Sequence, residues 1–204
     1  MNKARFEAFS DGVFAFAITL LVLGFVLPHV SDQRSSEAAL RGALLHEWPN
    51  LLAYFLSFSV IGIMWQNHHA LFRLVRRVDR MTVFLNLMLL GATAFIPFAT
   101  SALGAYPDLR PSTFLYGLTL TATATVYNVM LNHLVRTHAF AHNVSDQTIR
   151  QTVFAYRVGW LTYPLAMIVA LVAPVVSFAL YVLITIFYLI PRGVDTDLAA
   201  AESE

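Results

Sequence analysis

Two short stretches of the sequence combine polar side chains with long apolar runs. The first, "RFEAFSDG", holds Ser10 and Asp11 directly before an almost wholly apolar run. The second, "WQNHH", carries Trp65, His68 and His69 near the end of another apolar run. An indole N–H and an imidazole N–H are natural donors to a carboxylate or a serine oxygen. These residue types therefore predict a hydrogen-bonded polar network between two helices.

The spacing of these residues also bears on whether they form an ion pair, bind a metal or catalyse a reaction. Arg5 is a further candidate partner, because its guanidinium can donate a charge-assisted hydrogen bond to Asp11. Adjacent histidines point about 100° apart on a helix, whereas helical metal sites use i, i+3 or i, i+4 pairs, so a metal site is disfavoured. A pH-sensing histidine stays open. None of the residues has a nucleophile–base spacing, so we expect no enzyme, no catalytic residue, no metal and no cofactor.

The composition indicates that lipid is the solvent of these groups. Of the 204 residues, 58% are hydrophobic and 12% are charged, and the mean hydropathy is +0.65. A soluble domain has about a quarter of charged residues. The net charge of +1 gives no basis for binding nucleic acid, and the absence of cysteine excludes disulfides and thiolate chemistry. We therefore expect a membrane protein whose surroundings are the lipid bilayer, with no nucleic acid partner.

Six segments are long and apolar enough to cross a bilayer, which takes about 20 residues in a helix. Pro97, Pro164 and Pro174 are expected to kink or end helices. If Pro174 only kinks one long helix, the count falls to five, but about 40 continuous residues would be twice what the bilayer requires. Isolated polar residues such as Asn86 are expected to form helix–helix hydrogen bonds. The predicted spans are 6–28, 48–72, 81–103, 112–135, 151–173 and 175–191.

The charges of the connections predict the orientation of these spans. The connection after the second span, "RLVRRVDR", holds four arginines, and the other connections on the same side are also the more basic ones. Basic connections stay in the cytoplasm, so both termini are expected there. The predicted fold class is an all-α membrane protein with six transmembrane helices. It forms one domain over residues 1–192, followed by a short acidic cytoplasmic tail over 193–204.

The first helix has two faces when its residues are placed at about 100° per position. Its large apolar residues form one stripe, and Ser10 and Asp11 lie more than about 100° away from Phe16 on that stripe. Thr19 lies about 60° to one side. From the residues alone, the stripe faces lipid or the core of a helix bundle. The stripe consists of Gly12, Phe16, Leu20, Leu23 and Leu27.

The run Phe9-Ser10-Asp11, with Arg5 four residues earlier, resembles the first-helix signature of the lysosomal and endosomal potassium channel family, transmembrane protein 175, in its bacterial branch. The stretch "WQNHH" is similar to the second-helix pattern of that family. The resemblance covers the layout of the whole chain, although its specific motifs lie in the first two helices. It implies a cation channel that favours potassium, embedded as a multi-pass protein in the bacterial inner membrane. It also implies a homotetramer in which four first helices line a central pore.

The resemblance further implies roles for individual residues. Phe16, then Leu20 and Leu23, would form a hydrophobic constriction that closes by dewetting. Thr19 would contribute to the selectivity for potassium among monovalent cations. This family has no carbonyl filter of the "TVGYG" type, and the sequence contains none. The residues implied to form a structural polar network outside the ion path are Arg5, Ser10, Asp11, Trp65, His68 and His69.

One residue departs from the family pattern. The narrowest position is usually isoleucine in the family, and here it is Phe16. Four phenyl rings turned edge-on would make a tighter and drier pore, whereas rings turned face-on would attract a cation. The sequence alone leaves both arrangements open.

A proton-coupled or small-solute secondary transporter is the alternative function. Asp11, His68 and His69 would supply a proton relay in such a protein. The sequence shows no internal symmetry and no pair of broken helices, which are typical of secondary transporters. The channel is therefore the favoured interpretation.

Overall fold

The computed structural model describes residues 3–25, 37–141 and 144–189, and these residues are almost entirely helical. The long apolar runs form helices because a helix satisfies its backbone N–H and C=O groups internally, as a lipid environment requires. A short 3-10 turn, Leu21–Gly24, continues the first helix. The α-helices are α1 Lys3–Leu20, α2 Glu37–His46, α3 Trp48–Leu74, α4 Arg80–Ala94, α5 Ile96–Ala105, α6 Arg110–Arg136, α7 Asp146–Ala170 and α8 Pro174–Leu189.

Each predicted span coincides with helix, and only the short α2 was not predicted. The final helix α8 has 16 residues, about 24 Å of length against a hydrocarbon core of about 30 Å. That α8 crosses the membrane stays a prediction. The number of six transmembrane helices and the cytoplasmic position of both termini depend on it and stay predictions as well. Residues 26–28 and 190–191 of the predicted spans and the predicted tail over 193–204 lie outside the described residues. The stretches long and apolar enough to cross are Lys3–Gly24, Trp48–Leu74, Arg80–Ala105, Arg110–Arg136 and Gln147–Ala170.

Prolines set two of the helix boundaries. Pro97 lies in the first turn of α5 and divides the third predicted span, because its ring removes a backbone donor that the helix interior needs. Pro174 begins α8, and residues 171–173 separate it from the end of α7 at Ala170, so the two segments are not one kinked helix. Pro164 does not end its helix, since α7 continues to Ala170.

Helix α6 is the central helix of the protomer. It packs against α4, α5 and α7. In its most apolar stretch of 18 residues 50% of the residues are buried, compared with 28% in the stretch that contains α1 and 17% in α7. Two apolar clusters fill the interior, one around Phe14 and Tyr116 and the other around Phe6 and Met130. The outer helices α1 and α7 therefore present broad faces that the protomer itself does not cover.

A capping residue orders the connection between α3 and α4. Asp79 Oδ1 accepts hydrogen bonds of 2.7 Å from both the backbone N–H and the hydroxyl of Thr82, which caps the first turn of α4. His133 Nε2 of α6 lies 2.9 Å from Asp79 Oδ2. These hydrogen bonds, from Thr82 first and then His133, lower the pKa of Asp79 to about 2. We call this end of the bundle the basic end, because it carries Arg73, Arg76, Arg77 and Arg80.

Candidate functional site

Helix α1 and its 3-10 continuation have one buried face and one exposed face. Phe16 is 64% exposed and Leu23 is 72% exposed, whereas Leu20 is half-buried at the edge of the exposed face. Leu27 of the predicted stripe lies outside the described residues. The buried face, which packs on α3 and α4, consists of Phe6, Ser10, Phe14 and Ala17. The exposed residues at intervals of three and four form what we call the outer face of α1: Phe9, Gly12, Phe16, Thr19 and Leu23.

The hydroxyl of Thr19 lies on the outer face in a defined orientation. Thr19 Oγ1 donates a hydrogen bond of 2.8 Å to the carbonyl oxygen of Phe16, one turn earlier. The hydroxyl proton is therefore directed at the helix backbone, which leaves the oxygen lone pairs available on the exposed side. A hydroxyl held in this way can offer an oxygen ligand to a cation.

Ser10 lies on the buried face and takes part in a chain of hydrogen bonds across three helices. The side-chain amide of Asn86 on α4 donates to Ser10 Oγ at 2.9 Å, and Ser10 donates to the carbonyl oxygen of Phe6 at 3.0 Å. His68 Nε2 on α3 lies 2.8 Å from Asn86 Oδ1 and must be the donor, because that oxygen can only accept. All three side chains are at most 1% exposed. We call Ser10, Asn86 and His68 the Ser10 network.

Aromatic rings enclose the imidazole of His68. The ring centroids of Phe72, Phe14 and Phe6 lie 4.6, 5.4 and 6.3 Å from that of His68. The Ser10 network is thus a polar layer between the two apolar clusters, since Phe14 belongs to one and Phe6 to the other. Polar groups buried in this way hold helices in one relative position, because any displacement leaves a donor or acceptor unpaired.

Asp11 contacts a different side chain of α3. Trp65 Nε1 donates a hydrogen bond of 2.9 Å to Asp11 Oδ1. The exposed ring of His69 stacks on Trp65 with centroids 6.0 Å apart. The adjacent residues His68 and His69 therefore have separate surroundings, one buried between helices and the other beside Trp65.

The structure does not bring every predicted residue into this arrangement. Arg5 is exposed and makes no hydrogen bond or ion pair with any residue that the structure describes, whereas Lys3 Nζ lies 3.7 Å from Glu7 Oε1. Asn86 is the residue that sequence reasoning did not assign to this network. Its signal was a single amide within the apolar run "TVFLNLMLL", which predicts a helix–helix hydrogen bond but does not identify the partners.

Comparison with known proteins gives a consistent result. Residues 5–97, which include α3, α4 and most of α1, match the protein family described as endosomal/lysosomal potassium channel TMEM175. A potassium channel of Streptomyces collinus is 40% identical over 194 residues, which cover 92% of each chain. The crystal structure of a lysosomal potassium-selective channel TMEM175 homologue from Chamaesiphon minutus matches with a TM-score of 0.79 and 33% identity. That match covers 92% of this chain and 96% of that one.

An animal protein matches part of the chain. The endosomal/lysosomal proton channel TMEM175 of Gallus gallus is 41% identical over 103 residues, which are 48% of this chain and 21% of that protein. Each of these relatives is named as a channel, so the expectation that the chain is not an enzyme is confirmed. The relatives and the five long apolar stretches together identify a multi-pass integral membrane protein.

Proposed function

The chain belongs to the TMEM175 family of channels, and from this premise we propose that it forms a potassium-preferring cation channel lined by α1. The relative from Streptomyces collinus is named a potassium channel, and the homologue from Chamaesiphon minutus a potassium-selective one. In this proposal residues 1–192 are the channel domain, residues 193–204 are a cytoplasmic tail, and the chain assembles as a homotetramer. Potassium is the permeant ion, and no cofactor takes part.

The observation that carries the proposal is the outer face of α1. It places Phe16 and Leu23 on the surface of the protomer, while Ser10 on the same helix is completely buried. A helix held by polar bonds on one side and left uncovered on the other is suited to face a central axis. Four copies would bring four Phe16 rings together as a hydrophobic constriction, followed by Leu20 and Leu23. Water leaves such a ring when it is narrow, and the ion then meets a desolvation barrier.

Selectivity in this proposal has two sources. Potassium loses its hydration shell more easily than sodium, so a dry constriction favours potassium. The Thr19 hydroxyl oxygen, with its proton directed at the carbonyl of Phe16, adds a ligand one turn beyond the ring. The Ser10 network, Asp11 and Trp65 act as structural support outside the ion path.

The proposal is tested by ion flux into liposomes that contain the purified chain. We expect Phe16→Ala to raise potassium flux about tenfold. This factor corresponds to a permeation barrier that is lower by about 1.4 kcal/mol. Phe55→Ala on α3 is the matched control, because Phe55 is 61% exposed and Phe16 is 64% exposed. Equal flux through both variants and the native chain would remove α1 from the ion path.

A second arm of the experiment addresses selectivity. We expect Thr19→Ala to weaken the preference for potassium over sodium in reversal potentials, and Thr19→Ser to retain it, because serine keeps the hydroxyl. Proton flux is measured in the same liposomes, since the relative from Gallus gallus is named a proton channel. Solute uptake that requires a proton gradient would favour the secondary transporter instead.

A further inference from the structure

A cavity of about 530 Å³ lies between α3, α6 and α7, with Phe187 and Tyr188 of α8 also in its wall, in the half of the bundle that contains the basic end. It forms because α7 packs closely on α6 but stands apart from α3. Tyr156 of α7 bridges the gap, since its hydroxyl donates a hydrogen bond of 3.0 Å to the carbonyl oxygen of Asn67 on α3. The cavity is within the size range of small-ligand sites. It is separate from the outer face of α1, so a role for this cavity is independent of the proposed ion path.

The interior of the cavity is apolar and its side is open. Ile63 and Leu71 of α3 and Leu120 of α6 line the inner wall. Phe154 of α7 lines it as well and is 72% exposed, which places the opening on the side of the bundle. Because α3, α6 and α7 are all long and apolar enough to cross a bilayer, we infer that this opening lies within the hydrocarbon depth of the membrane. The apolar groups present at that depth are the acyl chains of the lipids.

A positive charge lies at one end of the cavity. Arg150 lines the cavity in the second turn of α7 and is exposed. The neighbouring Gln151 is also exposed and lines the cavity. An arginine near the end of a membrane-spanning helix attracts anionic headgroups, and its guanidinium binds phosphate oxygens in pairs.

Aromatic side chains complete the inner wall of the cavity. Tyr127 of α6 and Tyr156 of α7 both line it, and their rings stack with centroids 4.7 Å apart. The hydroxyl of Tyr127 is enclosed by protein, so the ring is the part of this residue that the cavity meets. An acyl chain in the cavity would therefore pack against ring atoms as well as aliphatic side chains.

From these features we propose that the cavity binds an anionic phospholipid. One acyl chain occupies the apolar space between α3, α6 and α7, and the phosphate contacts Arg150. The cavity thus offers a charged side chain and an apolar space, which correspond to the headgroup and the acyl chain of the lipid.

The proposal is tested by titrating the delipidated, purified chain with palmitoyl-oleoyl phosphatidylglycerol and counting bound lipids by native mass spectrometry. Phosphatidylcholine with the same acyl chains is the neutral comparison. We expect Arg150→Gln to weaken binding of phosphatidylglycerol about fivefold, the factor for one basic side chain near anionic headgroups. Arg157→Gln is the matched control, because Arg157 is an exposed arginine of the same helix that does not line the cavity. We expect it to leave the affinity unchanged.

A second pair of variants tests the acyl-chain part. Ala124 lines the cavity and Ala122 is exposed on the same helix outside it, so Ala124→Phe should abolish tight binding while Ala122→Phe retains it. Equal effects of Arg150→Gln and Arg157→Gln, or full binding by a folded Ala124→Phe chain, would overturn the proposal. A second copy of the chain is the other candidate occupant. Disulfide-linked dimers of an Ala155→Cys variant, in a chain that has no other cysteine, would show that a copy covers the cavity and would also overturn it.

Discussion

Removal of the Ser10 hydroxyl is expected to destabilise the protomer without changing which ion permeates. Ser10→Ala deletes the acceptor of the Asn86 amide, and that amide is 1% exposed, so water cannot replace the lost partner. An unsatisfied buried donor costs about 1–3 kcal/mol, and hydrogen bonds between membrane helices contribute about 0.6–1.7 kcal/mol. The better helix propensity of alanine offsets about 0.5 kcal/mol. We therefore expect a net loss of about 1–2 kcal/mol in the free energy of unfolding.

The assay is thermal unfolding of the purified chain in detergent, followed by tryptophan fluorescence. For a chain of this size, a loss of about 1–2 kcal/mol lowers the midpoint by about 2–8 °C. Ser101→Ala is the matched control. Ser101 is half-buried and its hydroxyl donates to the carbonyl oxygen of Pro97 at 3.1 Å, so no side chain of the described residues loses a partner. We expect its midpoint to stay close to that of the native chain.

Two results would refute this reasoning. Equal midpoints for Ser10→Ala and Ser101→Ala would mean that the Ser10 network does not stabilise the helices. A native midpoint combined with an altered reversal potential would instead assign Ser10 to the ion path. In either case the contacts between Ser10, Asn86 and His68 would lose the supporting role that we give them.

Two further predictions concern other contacts. Trp65→Phe removes the donor to Asp11 and keeps an aromatic ring, so we expect a loss of about 1 kcal/mol, read as a lower midpoint of thermal unfolding; an unchanged midpoint would show that this bond is not stabilising. Asp79→Ala removes the cap of α4 and should cost about 1 kcal/mol at pH 7. Because folding lowers the pKa of Asp79 from 3.8 to about 2, its contribution is complete above about pH 4 and is lost as the pH falls towards 2. The gap between variant and native midpoints should therefore close over that interval, and a gap that is constant down to pH 2 would contradict the assignment.

The helices could be predicted from the sequence because lipid imposes a simple rule. A run of about 20 apolar residues must be helical, so the spans follow from hydropathy alone. The break at Pro97 follows from the chemistry of proline. The short helix Glu37–His46 was missed because its sequence, "EAALRGALLH", is too short for a span. Whether α8 crosses the membrane does not follow from its 16 residues.

The candidate site was predictable in part. Angular placement on α1 separated Ser10 from Phe16, and the structure gives them opposite faces. The sequence could not choose between His68 and His69, because adjacent residues differ only in which neighbour they meet after packing. The connection through Asn86 spans 76 residues from Ser10 and depends on how α4 docks, which no local pattern encodes. The cavity beside Arg150 could not be predicted from the sequence either, since it arises from a gap between packed helices.

The bonds that join Ser10 to Asn86, and Asp11 to Trp65, restrict how α1 can move. A turn of this helix about its own long axis would carry both side chains away from their partners at once. A tilt that takes α3 and α4 along keeps every bond intact. If α1 borders a channel, the diameter of that channel should therefore change when whole protomers tilt, and not when α1 rotates by itself.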